Sequence, residues 1–412
     1  KALEVNQEMA TNALRVLALG IKEFNEMPSE DQLENDLDFV GLIGMIDPAR
    51  PEVKESIQIA TKAGIKTVMI TGDHIVTACA IAKELGILKE GDRAITSQEL
   101  EELSDEYLAE HIHEFSVFAR VAPKDKVRIV EAWQKRDAIC AMTGDGVNDA
   151  PALKKAEIGC AMGITGTEVS KSVASMVLTD DNFATIITSI REGRGIFDNI
   201  QKDVQYLLSS NIGEVLTIFV ASLLGVFGIL TGDDTTPLAA MHLLWINLIT
   251  DSLPAFGIGM EEAEDEIMLE KPRPKKEGFF ANGYAWKIAV EGVIIGAVTL
   301  IAYLIGQQVD HTTGQTMAFL TLSSTQLFHA YNVKSNHSVF SPKSYRNSFM
   351  NFAFILGFVL QVCVVYIPGI RDIFEFTPLP FHLFAITIGL SLVMVAIMEI
   401  VKLTSRIKNK KQ

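Results

Sequence analysis

Apolar and polar residues follow two different rhythms along the chain. In the first half, short apolar runs alternate with stretches of helical periodicity, the pattern that is typical of strands and helices in turn. This alternation predicts an α/β domain with a doubly wound parallel sheet. The predicted strands are 13–19, 39–46, 66–70, 117–119, 138–142, 158–161 and 176–178. The predicted helices are 51–63, 77–85, 98–114, 124–135, 150–156 and a segment near 167–175.

In the second half, the apolar runs become much longer. A helical pattern starts at Phe183 and leads into the first of them. A helix needs roughly 20 apolar residues to cross a bilayer. Six segments meet this length and predict an all-α membrane domain of six transmembrane helices, at 204–230, 238–260, 285–306, 315–333, 349–367 and 381–403.

The distribution of charge orients the predicted spans. The formal net charge is −15, and nearly all of it comes from residues 1–200, which argues against nucleic acid as a partner. Lysine and arginine concentrate in the loops 261–284 and 334–348 and in the tail after 403, whereas the opposite loops are mainly acidic. The positive side is the cytoplasmic one. We therefore expect the first half and the C-terminus to lie in the cytoplasm.

The segment 143–151, TGDGVNDAP, is the most informative stretch of the chain. It follows an apolar strand-like run and precedes a helix, so that Asp145, Asn148 and Asp149 lie where a parallel strand ends. Two carboxylates and an amide form a hard oxygen site that suits Mg²⁺. Gly144 and Gly146 allow backbone to approach a phosphate closely. The alternative is an acidic turn that only caps a helix.

Two further segments indicate phosphate chemistry. Thr71, Gly72 and Asp73 follow the predicted strand 66–70, and so repeat the arrangement of the first motif. Lys126 begins a helix, where an ammonium group can neutralise a transferring phosphoryl group. The alternative for Lys126 is a solvated lysine in the first turn of a helix.

Several polar residues fall inside the predicted spans. Charged groups in hydrocarbon are costly unless they face a cavity, a partner or an ion. Helical spacing places two sets on one helix face each, and Pro254 loosens the backbone after the second set. The candidate ligands of a hard cation are Asn211 and Glu214 in the first span, Asn247, Thr250 and Asp251 in the second, and Gln326 in the fourth. The alternative is hydrogen bonding between helices. Glu291 and Glu399 lie near span ends, where snorkelling to water is the simpler account.

Taken together, TGDGVNDAPAL, TGD, DPAR (47–50) and FARVAPKDK (118–126) resemble the P-type ATPases, whose phosphorylation domain has the haloacid-dehalogenase fold. The polar residues of the spans resemble the cation site of sarco/endoplasmic reticulum-type calcium pumps. The resemblance implies Mg²⁺ bound by Asp145 and Asp149, with Asn148 and Lys126 as further catalytic residues. It also implies ATP contacts from Arg15, Thr71, Gly72, Asp73, Arg120 and Lys126.

The resemblance further implies a division of the chain and a missing part. The divisions are the end of a nucleotide-binding domain (1–38), a phosphorylation domain (39–182), a stalk helix (183–203), six transmembrane helices (204–403) and a basic cytoplasmic tail (404–412). The DKTGT motif with the phosphorylated aspartate, the TGES motif and the first four helices are absent from the sequence. We therefore expect an N-terminal half, with the actuator domain, as a partner.

The expected function is the export of Ca²⁺ across a membrane, with a bacterial cell membrane as the expected location. Gln326 stands where two-site calcium pumps carry a glutamate, which favours one Ca²⁺ per ATP, with protons as the expected counter-ion. The alternatives are a pump for Mn²⁺ or another cation, since Mn²⁺ accepts the same oxygen ligands, and a non-catalytic membrane partner that lacks the nucleophile.

Overall fold

The structure, a computed structural model, describes residues 1–12, 14–24, 28–29, 33–46, 48–230 and 236–409. The side chain of Arg15, a predicted ATP contact, lies outside what it describes, as does Asp47 of the DPAR segment. The chain divides into two compact units. The α/β unit comprises Lys1–Arg191 and Asp265–Glu277, and the helical unit comprises Glu192–Glu264 and Gly278–Gln412.

The α/β unit alternates strands and helices along most of its length. Its elements, in chain order, are α1 (Ala2–Thr11), β1 (Arg15–Ile21), β2 (Asp38–Met45), α2 (Pro51–Lys62), β3 (Met69–Ile70), α3 (Ile75–Leu85), β4 (Arg93–Thr96), α4 (Ser97–Glu102), α5 (Asp105–His111), β5 (Phe115–Ala119), α6 (Pro123–Gln134), β6 (Ala141–Gly144), α7 (Ala150–Lys155), β7 (Ile158–Met162), α8 (Glu168–Val173) and β8 (Met176–Leu178). A 3₁₀ turn, Val147–Asp149, joins β6 to α7.

The parallel strands confirm the α/β prediction. Among the described residues they form two three-stranded sheets, ordered β3-β5-β4 and β6-β7-β8, and every pairing within them is parallel. Strands β1 and β2 form a separate antiparallel pair. The prediction gave no strand order; among the described residues, β3 and β6 each pair on one side only.

Several predicted boundaries differ from the structure. Helix α1 and strand β4 were not predicted, and the predicted strand 66–70 is reduced to β3. The predicted helix 98–114 is two helices, because Thr96 and Glu99 form a capping box at the start of α4 and the Ser104 hydroxyl accepts from Tyr107 N to begin α5. Local capping thus interrupts a continuous helical pattern.

The segment Asp265–Glu277 belongs to the α/β unit although it lies between two helices of the helical unit in sequence. Lys276 Nζ is 2.9 Å from Asp137 Oδ2, and Lys275 Nζ is 3.1 Å from Glu157 Oε1. Burial raises the pKa of Glu157, but hydrogen bonds from Cys140 N and from the Gln134 and Lys275 side chains outweigh it and lower the pKa to about 2. This segment is therefore attached to the α/β unit by ion pairs.

The helical unit contains long helices with one interruption. Its elements are α9 (Phe183–Val226), which begins in the α/β unit, α10 (Ala240–Trp245), a π-helical turn (Ile246–Asp251), α11 (Ser252–Gly259), α12 (Tyr284–Gln307), α13 (His311–Val333), α14 (Ser348–Tyr366), α15 (Ile370–Ile373) and α16 (Phe381–Asn409). Helix α13 is central, since almost all of its residues are buried and it packs against α12, α14 and α16.

Four helices of the described residues are long and apolar enough to cross a membrane, namely α9, α12, α14 and α16. The predicted span 238–260 is divided by the π-helical turn, and the predicted span 315–333 corresponds to α13, which is rich in serine and threonine. The chain is an integral membrane protein. The count of six spans is consistent with these helices and remains a proposal.

Candidate functional site

The first site lies where β5 and β6 end. Lys126 occupies the first turn of α6, directly after β5, and Asp149 closes the 3₁₀ turn after β6. The Lys126 ammonium group donates to Asp149 Oδ1, and Asp149 is 6% exposed. Lys126 follows β5 and Asp149 follows β6, which belong to different sheets, yet the fold brings the two side chains together although 23 positions separate them. The sequence predicted both residues but not this contact.

Asp145 is held in place through its backbone carbonyl group, and its carboxylate is exposed. Its carbonyl oxygen accepts from Thr167 N at 2.8 Å and from Ser170 Oγ at 3.1 Å. In the part of the chain that the structure describes, its exposed carboxylate has no hydrogen-bond or ion-pair partner, and Asn148 beside it is also exposed. Free carboxylate and amide oxygens next to buried Asp149 form a donor set that fits Mg²⁺.

Asp181 supports the loop that holds Asp145. Its carboxylate accepts from the backbone N–H groups of Gly163, Ile164 and Thr165 at 2.6, 3.0 and 2.8 Å. The Ile164 bond contributes most, and together these bonds overcome the opposing effect of burial and lower the pKa of Asp181 to about 2. The loop after β7 is therefore anchored by a carboxylate that stays ionised at neutral pH.

Gly144 allows Asp149 to approach the end of β6. A Cβ atom at this position would lie 2.4 Å from Asp149 Cβ and 2.7 Å from its Cγ. Such a contact forces the neighbouring side chain or the backbone to shift. The glycine is thus required by the close packing of the aspartate that binds Lys126.

Gly144→Ala tests this packing. We expect the free energy of unfolding of the α/β unit to fall by about 1–3 kcal/mol, the usual cost of overpacking. The control is Gly41→Ala in β2, where an added Cβ meets no atom within 4 Å. Denaturant unfolding of both variants, in the full-length gene product, provides the comparison. Equal stability of the two variants contradicts the close approach at Gly144.

The predicted nucleotide residues meet at the ends of β3 and β5. Thr71 Oγ1 donates to Asp73 Oδ2 at 3.0 Å, and Arg120 N donates to Asp73 O at 3.2 Å. Arg120 has φ +54°, a conformation that few residues other than glycine adopt. A Cβ atom added at Gly72 would meet no atom within 4 Å. The structure therefore brings together two neighbouring loops. The loop after β3 carries Thr71, Gly72 and Asp73, and the loop after β5 carries Arg120.

The second site lies within the helical unit and centres on Glu214 of α9. Glu214 is 5% exposed. Its Oε1 accepts from Gln326 Nε2 of α13 at 3.0 Å, and its Oε2 accepts from Asn247 Nδ2 in the π-helical turn at 3.1 Å. Three separate helical segments thus direct polar groups at one buried carboxylate.

Thr250 and Asp251 follow in the same π-helical turn and are buried. Tyr206 Oη of α9 donates to Thr250 O at 3.1 Å and lies 3.4 Å from Asp251 Oδ1. Pro254 has no N–H group to give to the carbonyl of Thr250, so this oxygen is free for Tyr206. The predicted loosening before Pro254 is a π-helical turn, a feature that is frequent at functional sites.

Two buried acceptor atoms at this site have no hydrogen-bond partner among the described residues. They are Asp251 Oδ2 and Gln326 Oε1. Buried polar atoms are rarely left in this state without an ion or water. Two carboxylates together with neutral oxygens therefore fit a hard cation.

Two predicted assignments look different in the structure. Asn211 is exposed, and its amide donates to Leu207 O of its own helix at 2.8 Å, whereas the described contacts of Glu214 are with Asn247 and Gln326. The expectation that Glu291 snorkels to water is wrong, since it is 2% exposed and accepts from Gln205. The position of Glu291 near a span end gave no indication of this burial, because the residues that cover Glu291 belong to α9 and α13.

Comparison with known proteins identifies the class. Residues 3–157 match the family of haloacid dehalogenase-like hydrolases, and residues 235–404 match the C-terminus of cation-transporting ATPases. With the geometry above, these matches show that the chain belongs to the P-type cation-transporting ATPases and corresponds to the C-terminal portion of such proteins.

Individual relatives are calcium-transporting ATPases of bacteria. Calcium-transporting ATPase 1 of Bacillus cereus is 44% identical over 98% of this chain, and the match covers 47% of the relative. Calcium-transporting ATPases of Bacillus subtilis and Listeria monocytogenes are also 44% identical, over 93% and 98% of this chain and 42% and 45% of the relatives. The chain thus spans about half the length of the curated relatives it matches.

Proposed function

We propose that the chain forms part of an ATP-driven pump that exports Ca²⁺ from the cytosol through a phosphoenzyme. The observation that carries this proposal is the group formed by Glu214, Asn247, Asp251 and Gln326. It combines two buried carboxylates with neutral amide groups, and Asp251 Oδ2 and Gln326 Oε1 have no hydrogen-bond partner among the described residues. The relatives named above are calcium-transporting ATPases. The alternative cargo, Mn²⁺, accepts the same ligands.

At the first site, we assign the residues roles in phosphoryl transfer. Asp145, with Asp149 and Asn148, would hold Mg²⁺, which when bound neutralises charge on the phosphate oxygens. Lys126 offers an ammonium group to the same oxygens and is oriented by Asp149. Thr71, Gly72, Asp73 and Arg120 would face the nucleotide, as would Arg15.

The phosphorylated aspartate is proposed to come from an upstream part of the same protein. Strands β3 and β6 support this, because each pairs on one side only among the described residues. Ile70 of β3 and Met142 of β6 contact the same apolar cluster, so the two edges are neighbours. A parallel strand added between them would bring its carboxyl end beside Asp145 and Lys126.

The test is phosphorylation of the full-length gene product by radiolabelled ATP in membrane vesicles. We expect acid-stable label that requires Ca²⁺, and uptake of Ca²⁺ into inverted vesicles, the direction that a cytoplasmic α/β unit implies. Label that requires Mn²⁺ and ignores Ca²⁺ supports the alternative cargo. Absence of label with every cation supports a non-catalytic membrane partner.

We expect one Ca²⁺ per phosphoenzyme, since the described site has two carboxylates and Gln326 is neutral. Two carboxylates balance one divalent charge, and a second ion in the same buried site would lack compensation. The measurement is the ratio of bound radioactive calcium to phosphoenzyme in the full-length gene product. A ratio of two rejects the single-ion proposal while leaving the pump assignment intact.

A further inference from the structure

A second buried carboxylate lies in the helical unit, outside the residues assigned to the cation. Glu291 of α12 is 2% exposed, and its two oxygens accept from Gln205 Nε2 of α9 at 2.7 and 2.8 Å. His329 of α13 is fully buried, with its Nε2 atom 3.6 Å from Glu291 Oε2. Three helices thus enclose a carboxylate and an imidazole.

The Ser209 hydroxyl group contacts one side of the His329 ring. Its oxygen lies 3.1 Å from Tyr206 O and 3.1 Å from His329 Nε2, and when the hydroxyl donates to Tyr206 O, Nε2 carries the hydrogen of the second contact. The second ring nitrogen, Nδ1, is buried and has no partner among the described residues. It is the atom that is free to take a proton.

Among the described residues, no lysine or arginine forms a direct ion pair with Glu291. Lys287 donates to Gln205 Oε1 at 3.1 Å, so its ammonium group contacts the amide rather than the carboxylate of Glu291. A buried carboxylate without a directly paired cation is costly. A proton on His329 converts the pair to a neutral carboxylate–imidazolium pair, and a proton on Glu291 removes the charge altogether.

We propose that Glu291 and His329 form a proton-binding site, and that its proton leaves to water when a divalent cation binds between Glu214 and Asp251. The proposal rests on the proposed pump function and specifies the counter-ion site. The pair forms no described hydrogen bond with the cation ligands, since its hydrogen-bond partners are Gln205 and Ser209.

The structure links the two sites through shared helices. Tyr206 contacts Asp251 with its hydroxyl group, and its ring lies 6.2 Å from the ring of His329. Helices α9 and α13 each supply a residue to both sites. A divalent cation adds positive charge to this low-dielectric bundle, and like charge disfavours a protonated imidazole. Cation binding therefore favours release of the proton.

Other ionisable groups face the pair from the helices packed around it. Lys287 lies on α12 itself, and Tyr206 and Asp251 contribute from α9 and the π-helical turn. Tyr284, at the start of α12, also senses the charge of Glu291. The positive charge of Lys287 disfavours a second proton on the pair, so that a single exchangeable proton is expected.

The test counts protons released per Ca²⁺ bound by the full-length gene product in weakly buffered detergent solution containing a pH-sensitive dye. We expect Glu291→Gln and His329→Asn each to release about one proton fewer than the unmodified protein. The matched control is Glu399→Gln, because Glu399 is held by Ser338 and Val339 N elsewhere in the same unit. Its proton count should equal that of the unmodified protein.

A second readout requires no calcium. Infrared difference spectra between acidic and neutral pH should show a carboxyl or imidazole band that both variants lack. If Ca²⁺ does not bind the unmodified protein but this band is present, the pump proposal fails and the proton site stands. Unchanged proton counts and an unchanged band in a folded variant overturn the site. If Glu291→Gln does not fold, His329→Asn decides in the same way.

Discussion

Replacing Asp145 by asparagine should abolish phosphoenzyme formation from ATP and from inorganic phosphate alike. The side chain keeps its size but loses the charge that Mg²⁺ requires from a hard oxygen ligand. Its carboxylate has no partner among the described residues, so the substitution removes no contact within the fold. We expect the rate of phosphorylation to fall by at least about 100-fold, since even residues that only support metal ligands contribute 10–100-fold.

The matched control is Asp137→Asn. Asp137 is exposed, pairs with Lys276 and precedes β6, so it lies at the opposite end of this strand from Asp145. Phosphorylation of this variant should be normal. Label at the level of the unmodified protein in Asp145→Asn would remove Asp145 from the reaction, and loss of label in both variants would point to damage of the fold instead.

Replacing Glu214 by glutamine should separate cation binding from phosphoryl chemistry. One of the two carboxylates at the buried site is lost, and the affinity for Ca²⁺ is expected to fall on the order of 100-fold, because charge count sets the affinity of such sites. Calcium-dependent phosphorylation by ATP should disappear at micromolar Ca²⁺. Phosphorylation by inorganic phosphate should remain, because the α/β unit is unchanged.

The control for this substitution is again Glu399→Gln, which removes a carboxylate from α16 that is hydrogen-bonded by Ser338 and Val339 N. The measurement is phosphoenzyme against free Ca²⁺ for both variants, with the reaction from inorganic phosphate measured in parallel. An unchanged Ca²⁺ dependence in Glu214→Gln excludes Glu214 as a ligand. Loss of both reactions would indicate a structural role for Glu214.

Residues near strand ends were the most predictable part of the site. Asp145, Asp149 and Lys126 each follow a short apolar run, and the carboxyl ends of parallel strands are where site residues of α/β proteins collect. That these residues belong to the site was therefore predictable from the local pattern, but their assembly was not. The ion pair between Lys126 and Asp149 was not predictable, because strand order and the length of the intervening turns decide which ends are neighbours.

Within the helical unit, spacing along one helix was a less reliable guide. Asn211 and Glu214 share a helix face by spacing, yet Asn211 is exposed and Glu214 is buried. The π-helical turn rotates Thr250 and Asp251 relative to an ideal helix, which a fixed period cannot represent. Glu291 was misjudged for a similar reason, since its burial depends on helices distant in sequence.

The sequence by itself determined the class of the fold, the long apolar helices and the types of side chain at both sites. It could do so because hydrophobic periodicity and the residues of a motif are local properties of the chain. Only the tertiary structure decided which polar groups meet. It paired Glu214 with Gln326, left acceptors of Asp251 and Gln326 without partners among the described residues, and enclosed Glu291 with His329. These outcomes depend on how whole helices pack, and burial sets the cost of each unpaired charge.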